Sequence, residues 1–295
     1  MTATATATAT APPAQTPVEP RPSPAPPPAR RRFRSRLLGI YAFFAYVWLF
    51  APLLVIVIFS FNNPSGKFNT KWNEFTFDNW LHPFRKQDYT EALVTSLQVA
   101  VVACTIATIL GGLMALSLSR YQFRGRGFVN ILIILPLTTP EIVLGSSLFT
   151  LFFNANFSMG FATVVIAHIL FCVSFVALTV QARVRGFDWT LEDAALDLGS
   201  SPWRTFRTIT FPLILPGIAA AFLLSVALSI DDYIITSFVA GNGDGAITTF
   251  PMRIFNANKT EIPPQVHVIA SFILFASVGI IAFATLRAMR REAKP

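Results

Sequence analysis

The chain has 295 residues, of which 53% are hydrophobic and only 13% charged, with a formal net charge of +8. A soluble domain carries about 25% charged residues, so this composition excludes an ordinary water-facing enzyme and indicates a membrane-embedded chain. The basic residues fall in short clusters between apolar runs, the pattern of membrane topology rather than of a nucleic-acid-binding face.

Residues 1–36 read as a cytoplasmic tail. A Thr-Ala repeat leads into a Pro-rich run from Pro12 to Pro28, then into Arg30, Arg31, Arg32, Arg34 and Arg36. Such a segment has little surface to bury and much backbone entropy to lose, so it is expected to be disordered. The first apolar run, 37–61, is too long for the core of a signal peptide and is long enough to cross a bilayer. Five further runs reach that length, at about 92–119, 128–153, 159–182, 211–240 and 266–286. Pro136 and Pro140 interrupt the third, and Pro212 and Pro216 open the fifth, so kinked and mutually packed helices are expected.

Orientation follows from the Lys and Arg residues. Seventeen of the 23 fall in the tail, the loop after the second run, the loop after the fourth and the C-terminus. The positive-inside rule then places both termini in the cytoplasm, with six spans. The segments are a tail (1–36), a first span (37–61), an extracytoplasmic loop (62–91), a five-helix core (92–287) and a cytoplasmic C-terminus (288–295). The outer loop is rich in aromatics, among them Trp72, Phe75, Phe77, Trp80 and Phe84. It suits either an amphipathic element at the headgroup level or a docking surface.

Cys104 and Cys172 stand singly inside apolar runs, which predicts small buried residues rather than a metal site or a disulfide. The lone His168 predicts an interhelical hydrogen bond. Scattered His and Cys supply no clustered nucleophile, base or metal ligands, so neither catalytic nor metal residues are assigned.

The loop 188–212 between the fourth and fifth runs carries the strongest signal. Thr190 and Asp193 have capping-box spacing, with Asp in place of the usual Glu or Gln. Leu191, Ala194, Ala195 and Leu198 form an apolar stripe at helical spacing, and Gly199 supplies a stop. Ser201 is the expected N-cap, with Pro202 at the first helical position. Helix, sharp turn, helix is therefore predicted, a rigid protrusion suited to a groove on another protein.

These residues also carry a family resemblance. Asp193-Ala194-Ala195, three residues, Gly199, nine residues and Ile209-Thr210-Phe211-Pro212 resemble the EAA loop of ATP-binding-cassette importer permeases. That pattern is Glu-Ala-Ala, three residues, Gly, nine residues and Ile-x-Leu-Pro; Asp193 and Phe211 depart from it while keeping charge and apolarity. The resemblance extends over nearly the whole chain after residue 37. It implies an all-α polytopic protein with six transmembrane helices in the type I importer (MetI-like) permease fold. It further implies that Glu192, Asp193, Ala194, Ala195, Asp197, Gly199 and Pro212 belong to an element that couples a cytoplasmic ATPase to the spanning helices. No GxxxxGK[ST] occurs in the chain, so ATP and Mg2+ are expected on the partner ATPase, with no cofactor here. The implied partners are a dimer of ATPase subunits, a homologous second permease, an extracytoplasmic solute-binding protein and membrane lipid.

Within that family, Phe75-Thr-Phe-Asp-Asn-Trp80, Leu135-Pro-Leu-Thr-Thr-Pro-Glu-Ile-Val-Leu144, Leu228-Ser-Ile-Asp-Asp-Tyr233 and Thr236-Ser-Phe-Val-Ala-Gly241 resemble the second permease subunit of spermidine/putrescine systems. The acids point the same way. Glu141, Asp231 and Asp232 lie in apolar runs that hold no Lys or Arg, and an acid at membrane depth costs about 2.5–3.5 kcal/mol on insertion scales. Such groups mark pathways, and a polyamine has the charge to complement them. Two readings stand for each: Glu141 faces the path or caps the half-helix after Pro140, and Asp231 and Asp232 face the path or are structural. Adjacent helical residues diverge by about 100°, so at most one of that pair is expected on the path. Tyr233 would pack against an amine chain or belong to the interfacial belt. The runner-up functions are import of another solute, such as ferric iron, an opine or a sugar, and a membrane receptor or scaffold.

Overall fold

The computed structural model describes residues 29–243 and 245–292. Two units divide the chain at Leu54/Val55. The first carries most of α1 (Ala29–Phe59), most of whose described side chains, Tyr41, Phe44 and Trp48 among them, are exposed and apolar. The helix begins inside the segment expected to be a disordered tail; residues 1–28 lie outside the described ones.

The second unit is almost wholly helical. A two-residue ladder pairs β1 (Asn62–Asn63) with β2 (Glu74–Phe75), which the all-helical expectation did not include. It precedes α2 (Asp78–Leu81), α3 (Gln87–Arg120), α4 (Arg126–Thr138), α5 (Glu141–Asn154) and α6 (Phe161–Val184). Then come α7 (Thr190–Asp197), α8 (Pro202–Thr205), a π-helical turn (Phe206–Thr210), α9 (Phe211–Asp231), α10 (Ile234–Val239), α11 (Phe250–Thr260) and α12 (Pro264–Glu292).

Among the described residues four helices are long and apolar enough to cross a membrane, 38–59, α3, α6 and the continuous helix 202–231. The predicted third span is not one helix: α4 and α5 meet at 108°, and the pair makes a fifth crossing only if counted together. Pro140 removes the N–H that would continue the helix, and the hydroxyls of Thr138 and Thr139 donate to the Leu135 carbonyl near the break. The predicted fifth span, 211–240, likewise ends at Asp231, and α10 is a separate short helix. The sixth run falls in α12, apolar over the shorter stretch Pro264–Gly279.

The core sits where α3 packs along α6 and α9 lies against both. Ala100, Ala103, Ala107, Gly111 and Ala115 recur on one face of α3 and are fully or almost fully buried. In lipid, where apolar surface is gained by no helix pairing, such small residues permit close backbone approach and dense van der Waals contact. Gly111 shows how close: an added Cβ would stand 2.8 Å from the Val173 carbonyl oxygen and from Val176 Cγ1. Backbone cannot yield as a side-chain tip can, so Gly111→Ala is expected to cost about 1–3 kcal/mol, the range of core overpacking. Its apparent unfolding temperature in detergent should fall; an unchanged value would contradict this packing.

The outer loop is an ordered cap. Asn62, Asn69 and Asn79 are buried, and Asn79 donates to the carbonyls of Ser60 and Asn62 at 3.2 and 2.9 Å. Asn62 accepts from the backbone N–H of Asn73 at 2.8 Å. These amides satisfy the chain end left where α1 stops. Above them Phe61 stacks on Phe75 and Trp80.

Candidate functional site

Two places collect the predicted residues. The first is the protrusion built by α7. Leu198, Gly199 and Ser200 donate back to the carbonyls of Ala194, Leu196 and Ala195, and Gly199 takes φ +85°, the left-handed stop expected of it. The capping box does not form. Asp188 takes its place, accepting from both the hydroxyl and the N–H of Thr190 at 2.8 and 3.1 Å. Those two bonds, the hydroxyl foremost, hold the Asp188 carboxyl below the usual carboxylate range. Ser201 does cap, accepting from the Arg204 N–H. The second helix is not separate, however: it runs through the π-helical turn into α9, so Pro212 lies within one 30-residue helix.

The outward face of α7 is open. Asp193, Ala194 and Asp197 are exposed, Leu191 is 46% exposed and Leu198 is 89% exposed. Ala195 is half-buried. Glu192 differs from all of these. It is 2% exposed, sits 2.6 Å from an Arg120 guanidinium nitrogen at the end of α3, and accepts the hydroxyl of Thr210 in the π-helical turn. The Arg120 guanidinium also lies 5.7 Å from the Trp189 ring centroid. One carboxylate therefore ties the protrusion to α3 and to the root of α9. Glu192 is an internal strut, while Asp193, Ala194 and Leu198 present the surface.

The second place is the break between α9 and α10. Asp232 is turned inward, its carboxylate accepting from the Thr236 N–H and hydroxyl at 2.8 and 2.6 Å and standing 3.5 Å from His168 Nε2. His168 is 2.7 Å from Ser229 Oγ and 2.9 Å from Thr236 Oγ1, so this α6 side chain spans the break. Asp231 points the other way and is exposed. It borders a groove of about 870 Å³ lined also by Tyr233, Phe250, Ile254 and Phe255. Tyr233 stacks on Phe255 with centroids 4.5 Å apart. The Lys259 ammonium lies 5.6 Å from the Phe255 centroid, so this aromatic surface already takes a primary amine. Asp231 makes no ion pair among the described residues, and it sits at the negative end of α9, where a carboxylate is disfavoured and a cation welcome.

The structure thus brings Asp231 and Tyr233 together and sets Asp232 aside as a helix cap. Glu141 lies elsewhere. It opens α5 directly after Pro140 and is exposed, a first-turn acid at the positive end of a helix. Sequence reading missed Arg120 and Thr210, which it treated as a topological charge and as part of a motif. It also missed Phe255, which lies in a polar helix with nothing in the pattern to mark it.

A bundle of kinked apolar helices with an exposed helical protrusion and an acid-bearing groove defines a polytopic transport permease. A family model described as binding-protein-dependent transport system inner membrane component matches residues 107–293, and the chain belongs to this family. It is 34% identical to the spermidine/putrescine transport system permease protein PotC of Haemophilus influenzae, over 83% of this chain and 94% of that one. It is 36% identical to the putrescine transport system permease protein PotI of Escherichia coli, over 84% and 89%. In fold it resembles a chain of a bacterial alginate ABC transporter, with a TM-score of 0.59 at 14% identity, covering 90% of this chain and 99% of that one. An amino acid ABC transporter chain gives 0.51 at 18% identity, covering 75% and 99%.

Proposed function

We propose that this protein is a permease subunit of an ATP-binding-cassette importer that carries polyamines such as spermidine and putrescine into the cytoplasm by alternating access. The observation that carries the substrate reading is the Asp231–Tyr233–Phe255 groove, which offers an unpaired carboxylate beside stacked rings. The names of the PotC and PotI relatives support the same choice.

In this reading the chain lies in the inner membrane with both termini cytoplasmic, following its Lys and Arg distribution. It is non-catalytic: ATP and Mg2+ act on two partner ATPase subunits, a homologous permease completes the path, and an extracytoplasmic binding protein delivers the solute. The exposed face of α7 docks on the ATPase. Closure there pushes on Glu192, which passes the displacement to α3 through Arg120 and to α9 through Thr210. The far end of α9 carries Asp231, so the same rigid helix joins the coupling element to the groove. There an ammonium exchanges its water for an ionic hydrogen bond with Asp231, and the alkyl chain lies on Tyr233 and Phe255.

The test is ATP hydrolysis and uptake by the complex reconstituted with its binding protein, with and without spermidine or putrescine. Stimulation by a polyamine is expected. Asp231→Asn should raise the apparent KM for uptake about tenfold, since hydrogen bonds to a charged group contribute about 1.5–3 kcal/mol. Glu141→Gln tests whether the second acid also meets the solute. Uptake unchanged in both variants would remove the acid-lined path. Hydrolysis that no polyamine stimulates would move the substrate to another small solute.

A further inference from the structure

A second cavity, of about 450 Å³, opens between the C-terminal ends of α3 and α6 and the start of α4. Its size falls within the ~300–1,000 Å³ of small-molecule sites. Arg126 and Asn130 line it from the first turns of α4, Gln181 and Arg185 from the end of α6, and Ser119 from α3. No carboxylate is among its described lining residues, and neither arginine makes an ion pair among the described residues. Gln181 is only 7% exposed, and its amide atoms are not among the buried polar atoms left without a partner, so they open onto the cavity. An amide open to the cavity can both donate to and accept from a polar ligand there. The start of α4 adds the positive end of a helix to the same border.

We infer that this cavity is a site for the phosphate-bearing headgroup of a membrane lipid. Two guanidinium groups more than neutralise the single negative charge of a phosphodiester and offer it paired N–H donors. Gln181 and Asn130 supply neutral donors and acceptors for the glycerol hydroxyls of a headgroup such as that of phosphatidylglycerol. Basic pockets between spanning helices at a membrane surface are where anionic lipids bind. The cavity lies at the ends of the spanning helices, so acyl chains can remain in the bilayer. Trp189, the residue before α7, closes one side of it. A bound headgroup therefore sits against the entry to the protrusion and braces it. The assignment to the cytoplasmic leaflet rests on the proposed orientation; the binding measurement does not depend on it or on the transported solute.

The experiment is native mass spectrometry of the purified transporter titrated with phosphatidylglycerol in detergent. Arg126→Gln/Arg185→Gln is expected to weaken binding roughly thirtyfold, equivalent to about 2 kcal/mol for two arginines at an anionic surface. Gln181→Leu changes no charge and little volume, and should also weaken it. Arg124→Gln removes an exposed charge outside the cavity and should leave the affinity unchanged. If Arg124→Gln costs as much per charge as the double variant, or Gln181→Leu costs nothing, binding is diffuse and the site is refuted. Inorganic phosphate is the soluble probe. Failure to displace the lipid at millimolar concentration supports the headgroup assignment, whereas displacement would transfer the site to a soluble anion and overturn it.

Discussion

Arg120→Ala is expected to damage the protein more than Glu192→Ala, although both break the same ion pair. Glu192 is 2% exposed and Arg120 is 40% exposed. Removing Arg120 strands a buried carboxylate, for which the cost is about 3–5 kcal/mol. Removing Glu192 leaves a guanidinium that can turn to water and still stack on Trp189, so the cost approaches the about 1–3 kcal/mol of an unsatisfied group. The double variant should sit nearer to Glu192→Ala than to Arg120→Ala, because no buried charge is left alone. Apparent unfolding temperatures of the four proteins in detergent give the order directly. Equal losses in both single variants would mean that Glu192 is solvated and does not bind the protrusion to α3.

Gly199→Val is expected to leave the transporter in the membrane and hydrolysing ATP while uptake falls about tenfold or more. No neighbour stands within 4 Å of where its Cβ would lie, so the effect is not crowding. It is backbone strain: at φ +85° an L-residue pays about 1–2 kcal/mol, and a β-branched one more. The turn relaxes by rotating Leu198 and Ala194 off the direction that the proposed ATPase contact needs, and about 1.4 kcal/mol lost there is a factor of ten. Gly199→Asn is the control, since Asn tolerates the left-handed region. Uptake by the Val variant equal to that of the Asn variant would show that the turn's conformation does not matter for coupling.

The apolar runs, the Gly199 stop and the Ser201–Pro202 start were legible in the sequence. Each is a local effect, arising from hydropathy, a backbone angle only glycine adopts freely, or a first-turn proline. The membrane class and the existence of a helical protrusion followed from the same local signals. Hydropathy could not divide 128–153 or 211–240 into two helices, because the residues on both sides of each break are equally apolar. The breaks are decided by which backbone groups neighbouring side chains satisfy, as Thr139 does for the Leu135 carbonyl and Asp232 for the N–H groups at the start of α10. Nor could spacing separate Asp231 from Asp232. They are adjacent and chemically identical, and only the helix end between them sends one to His168 and the other to the groove. Glu192 and Asp193 pose the same problem on α7: a single residue step, about 100° around the helix, makes the first a buried strut and the second a surface charge. The sequence determined what kind of protein this is and where its helices and turns start, since those depend on near neighbours along the chain. The tertiary structure alone decided which acid is structural and which is available, since that depends on partners 72 and 18 residues away, as with Arg120 and Thr210 for Glu192.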